Sequence, residues 1–233
     1  MRHTGNRYAT GMGLALAAGA TVVLTACTYE RNGLVGQHFN DFQTRAPYRN
    51  TVHVCRAYGC RVQTKFKFTR DDIRAIRRLM RRTAKNRSAF QERRAIAYAI
   101  GWMERRVGKA LGTSVDRPGM DLAGSGDPSQ HDCVDEATNS TSYLLVLQSN
   151  GLLKHHTVGT PFSKGNILMG IRKWPHWGAV LWERGKGRKR GKPGGRVKYV
   201  VDSWPGPNGE NPAIVRASKW YLADLDNLPK ALR

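Results

Sequence analysis

The 233 residues carry 39 Lys and Arg against 17 Asp and Glu, a formal charge of +22. The length fits one domain with a sizeable core, and 40% apolar content with six tryptophans excludes a disordered chain. The charge implies an acidic partner such as anionic lipid, a cell-wall polymer or nucleic acid, and it speaks to association rather than to fold.

Arg2 and Arg7 flank the start of the chain, ahead of the uncharged apolar run "GMGLALAAGATVVL", and small residues lead to Cys27. That is the layout of a secretory signal. Leu24-Thr25-Ala26-Cys27 resembles a bacterial lipobox, which implies cleavage before Cys27 and lipidation of that cysteine. A plain signal peptide or a short membrane anchor is the other reading. Thr28 and Tyr29 bring no acid of the kind that signals retention at an inner membrane. Lipid and a basic surface together make a two-signal anchor. The expectation is an exported lipoprotein on the periplasmic face of the cell envelope, at the outer membrane in a Gram-negative cell. Residues 28–48 read as a tether and 49–233 as the folded domain.

In "VHVCRAYGCRVQ", Cys55 and Cys60 stand on either side of a Tyr58-Gly59 turn. In an oxidising compartment the simplest reading is a disulfide, with about 2 kcal/mol of stabilisation for so short a loop. A metal site with His53 as third ligand is the alternative. No second cluster shows ligand spacing, so neither metal nor cofactor is expected. Cys133 is left without a partner, which makes it either a buried inert thiol or a reactive one.

Next, "RVQTKFKFT" alternates Val62, Thr64, Phe66 and Phe68 with Gln63, Lys65 and Lys67, the period of a half-buried strand. Thr69 starts a helix with Asp71 and Asp72 in its first turn and Ile73, Ile76, Leu79 and Met80 as its apolar stripe. Ser88 and Gln91 form a capping-box pair ahead of a second helix with Ile96, Ile100, Met103, Val107 and Leu111 on one face. Its arginines read as solvated. Residues 112–130 are rich in Gly, Pro, Ser and Asp and form a loop. A third helix begins after Asp132 and ends at Asn150-Gly151. "LLKHHTV" reads as a strand with His155 and His156 on opposite faces as surface residues. "HWGAVLWERG" and "RVKYVVDSW" read as a hairpin around the basic loop 185–195, and "SKWYLADL" as a short closing helix.

Asp132 as N-cap and Asp135 three residues on make Cys133 the first helical residue, in the field of unpaired N–H groups that stabilises a thiolate. The neighbouring acids oppose that, so a positive partner is needed. The hairpin loop centres near residue 190, which sets His176 and Asp202 across from each other to within one or two residues. An imidazole oriented by a carboxylate is the second half of a Cys–His–Asp triad. Gln130 is the candidate side-chain donor to an oxyanion, with the Cys133 N–H as the other. Trp174, Trp177 and Trp204 flank these positions and read either as core or as walls of a substrate groove.

The motifs "DCVDEATNSTSYLLVL", "WPHWGAVL" and "YVVDSW", with "CRAYGCRV" before them, resemble the bacterial transglutaminase-like cysteine protease group of the papain-like superfamily. The similarity spans roughly residues 50–225. It implies an α+β fold with the nucleophile helix on a small antiparallel sheet, Cys133 as nucleophile, His176 as general base and Asp202 as its orienter. Val134 stands where transglutaminases proper have a tryptophan, so the resemblance implies thiol acyl transfer at an amide and not cross-linking in particular. A peptide or protein amide is the expected substrate, and an anionic membrane or wall polymer the expected partner. Two rival readings differ in class: a non-catalytic lipoprotein holding an anionic polymer, and a nucleic-acid binder. The second has only charge in its favour, because no zinc-finger or RNA-binding motif is present.

Overall fold

The computed structural model describes residues 33–119, 121–165, 175–185 and 197–222. Cys27, Trp174 and nearly all of the basic hairpin loop lie outside them. The fold is mixed α+β. A hairpin of β1 (Thr51–Arg56) and β2 (Val62–Lys67) stands apart from a four-stranded antiparallel sheet. The order in that sheet is β3 (His156–Lys164), β4 (His176–Glu183), β5 (Val197–Asp202) and β6 (Ala213–Arg216).

The helices begin where their caps dictate. Thr69 caps α2 (Arg70–Thr83) in a full capping box with Asp72. Ser88 caps α3 (Ala89–Leu111) through the Gln91 N–H, but the Gln91 carboxamide accepts from Lys85 N instead of returning to Ser88. Asp132 caps α4 (Cys133–Ser149) in a second full box with Asp135. The chain leaves α4 through Gly151 at φ 66°, a left-handed step that glycine takes without strain.

The main core lies between these helices and one face of the large sheet: Ile73 and Ile76 of α2, Ile96, Ile100 and Met103 of α3, Leu144 and Leu147 of α4, and Ala179, Leu181 and Val201 of the strands. A smaller core on the opposite face joins Phe162, Val180 and Val200 to Trp220 of α5 (Ala217–Leu222). Burial on both faces explains why β4 and β5 read as near-continuous apolar runs.

Several elements differ from expectation. Residues 28–48 contain α1 (Val35–Asp41), which packs on β3 with His38 and Phe39 buried, so this stretch is not merely a tether. The strand after α4 starts only at His156 and runs on through Lys164, and β6 was not foreseen. His156 is fully buried instead of at the surface. Its Nδ1 meets Glu92 at 2.9 Å, and Arg93 Nη1 lies 3.2 Å from its Nε2. Arg93, expected in solvent, is likewise buried, bonded to Glu183 and stacked over the Tyr199 ring.

Candidate active site

The carboxylates around Cys133 have structural partners. Asp135 accepts from Cys60 N at 2.7 Å and from Tyr58 N at 2.8 Å, and Asp132 accepts from Gly59 N at 3.1 Å. These N–H groups point the same way because Ala57, Tyr58, Gly59 and Cys60 all have φ between 58° and 68°. Successive left-handed residues turn their amides into one anion-binding concavity. The Cys55–Cys60 disulfide closes this turn, and Asn139 of α4 brackets it by bonding both the N–H and the C=O of Cys55. Burial, and then Asp132, push Asp135 up to about 7 in spite of its donors.

Cys133 is 8% exposed at the end of β4. Its Sγ lies 3.6 Å from Pro175 O and accepts from the Trp177 N–H, so it touches the backbone on both sides of His176. Burial pushes the thiol up to about 12, with Asp132 adding to the rise and the Trp177 N–H opposing it. An ion pair made by moving the proton inside the Cys133–His176 couple is a different microstate.

The β4–β5 ladder pairs Ala179 with Val201 and Glu183 with Val197, and so centres on residue 190. One step further sets Asp202 opposite Gly178, which makes His176 its diagonal neighbour on the same face. His176 Nε2 and Asp202 Oδ2 are 2.7 Å apart, and Trp220 Nε1 donates to the same oxygen at 2.8 Å. Trp204 and Trp220 lie against the imidazole with centroids at 4.7 and 5.5 Å. Nδ1 of His176 is buried and meets no hydrogen-bond partner. Lys164, paired with His176 across β3 and β4, reaches the Trp220 carbonyl at 2.5 Å and so fixes the ring that holds Asp202.

Gln130 does not serve as the expected oxyanion donor. Its carboxamide donates to Val115 O and Ser129 Oγ and accepts from Arg117 N, which spends it on holding the loop together. Trp204 Nε1 is buried beside His176 without a partner. Trp177 packs with His38 and Phe42 of the α1 segment.

A second polar cluster escaped the sequence reading, which saw no ligand spacing beyond Cys55, Cys60 and His53. Asp116, His131 and Glu136 are all buried, and their ligand atoms lie within 4.8 Å of one another. Glu104 of α3 is buried next to Glu136 and accepts from Ser203 Oγ and Gly209 N. Burial and the Glu136 charge hold Glu104 well above the usual carboxylate range. The signal available in sequence was the string of polar residues around Cys133. It could not show which loop carboxylate folds back to meet them.

No family model, curated protein or solved structure matches this chain, so the functional reading rests on the arrangement of its own residues.

Proposed function

We propose that the protein is a cell-envelope lipoprotein with a papain-like core that cleaves or transfers amides through a thioester on Cys133. The observation that carries this reading is the division of labour on His176. Its Nε2 is committed to Asp202 at 2.7 Å, which places the proton there and leaves the Nδ1 lone pair buried and unpartnered. The Cys133 sulfur rests on the backbone directly before and after that residue. In the reaction Nδ1 takes the thiol proton and the thiolate attacks the amide carbonyl. The protonated imidazole then returns its proton to the departing amine, and water or a second amine releases the acyl group. The carboxylate and the two indole faces favour the imidazolium that forms in between. The N–H groups at the start of α4, with the indole N–H of Trp204, are the donors for the oxyanion.

The test is the rate of labelling by an iodoacetamide probe at neutral pH. Wild type should label at Cys133, and His176→Ala should label at least tenfold more slowly with its fold retained. Equal rates would remove the base from the mechanism. A second reading is a non-catalytic lipoprotein that binds an anionic polymer. The exposed Arg74, Arg77, Arg78, Arg81 and Arg82 on α2 favour it, and an inert Cys133 would decide for it.

A further inference from the structure

We propose that Asp116, His131 and Glu136 form a site for a divalent transition ion of the zinc or manganese class, buried behind the nucleophile helix. Nδ1 of His131 lies 3.5 Å from Asp116 Oδ2 and 3.2 Å from Glu136 Oε1. Ligand atoms about 2.1 Å from a shared ion stand about 3.0 Å apart in an octahedral shell and about 3.4 Å in a tetrahedral one. The two spacings from the imidazole therefore match those of ligands about a shared ion, and the third, between the carboxylates, is within 4.8 Å. His131 is 3% exposed, and neither of its ring nitrogens meets a partner in hydrogen-bonding geometry. The Nδ1 atom lies within ion-pair distance of both carboxylate oxygens.

Charge leads the same way. Asp116 and Glu136 are two buried acids that one imidazolium at His131 compensates only in part, while Glu104 beside them is held toward its neutral form by burial and the Glu136 charge. A dication held by a neutral imidazole and two carboxylates is balanced within its own ligand shell. Outer contacts also suit such a site. Asp116 Oδ1 accepts the His131 backbone N–H at 2.7 Å, which fixes the carboxylate with Oδ2 turned inward. The imidazole among the donors favours zinc over calcium, which takes oxygen shells, and the two carboxylates admit manganese as well. The ion would tie loop 112–131 to the first turn of α4, two residues from Cys133.

The experiment uses untagged, disulfide-intact protein carrying Cys133→Ala, because a free thiol beside His176 would itself hold zinc. After treatment with chelator this protein is titrated with Zn(II) and, separately, Co(II). The expected result is one equivalent bound, a melting temperature raised by several degrees, visible d–d absorption with Co(II), and a zinc-dependent shift of the His131 imidazole nitrogen resonances. His131→Gln and Glu136→Gln in the same background should weaken binding by at least the about ten- to hundredfold that loss of even an outer contact costs. No stoichiometric binding overturns the proposal, as does binding unchanged in those two variants. The imidazole resonances decide the matter even where a variant fails to fold: His131 signals unmoved by zinc overturn it. Because the thiol is absent throughout, the result is independent of whether Cys133 is a nucleophile.

Discussion

A Cβ at Gly178 would overlap Val200 Cγ1 and come within 3.3 Å of Trp220 Cζ2, the ring whose N–H holds Asp202. Trp220→Phe keeps most of the ring and deletes that donor, a loss of about 1 to 2 kcal/mol at a charged acceptor. It should slow probe labelling of Cys133 severalfold and shift its pH profile, with the melting temperature lowered by only a few degrees. Gly178→Ala should cost about 1 to 3 kcal/mol of stability by overpacking and slow labelling as well. A Trp220→Phe protein that labels like wild type would show that the indole does not orient the acid. The pairing of His176 with Asp202 was legible in the sequence because a hairpin fixes register from its loop alone. The side-chain partners of Gln130 were not, since Val115 and Arg117 come from a loop without periodicity.

At the scale of elements, Glu92 in the first turn of α3 binds the start of β3. Its carboxylate accepts from the N–H groups of Lys154, His155 and His156 and from the His156 ring. Burial works to raise its pKa, but the His156 ring and these N–H donors outweigh burial and hold it below the ordinary value of 4.5. The unfolded chain therefore binds the proton at higher pH than the native one. The stabilisation is complete above about pH 4.5 and is lost as pH falls through the depressed native value. Glu92→Ala should cost about 3 kcal/mol near neutral pH by stranding buried donors, and Glu92→Gln less. Urea melts at pH 7 and pH 3 check this, and the wild-type advantage should shrink at pH 3. The Asp132–Asp135 box was legible in the sequence because a cap is local chemistry, whereas the Ser88–Gln91 box expected there closes on one side only, the Gln91 carboxamide going to Lys85 N. The four residues of β6 were too few to display alternation, and His156 looked exposed because its partner lies 64 residues earlier.

For the whole molecule, the excess of positive charge gathers visibly on α2, whose outer face shows Arg77, Arg78, Arg81 and Arg82 to solvent. Beside an anionic bilayer each such residue is worth about 1 kcal/mol. Replacing these four with glutamine should weaken binding to phosphatidylserine-containing vesicles by up to about three orders of magnitude at low salt. The salt dependence should become shallower, while labelling of Cys133 stays unchanged. Vesicle sedimentation across a salt series measures it. Unaltered binding would move the contact elsewhere, with the basic loop after Gly185 the next segment to test.

The turn closed by Cys55 and Cys60 also bears on the order of assembly. Its bridge spans a sequence separation of only 5, whereas its bonds to Asp135 and Asn139 span 75 and 84 residues. Closing a short loop is entropically the lesser task, and a chain delivered from its N-terminus presents residues 55–60 long before α4. In an oxidising compartment the run of left-handed residues is locked while the capping acids are still to emerge. A cradle closed in that order would be finished before the helix arrives, and α4 would dock onto amides already aligned instead of having to organise them.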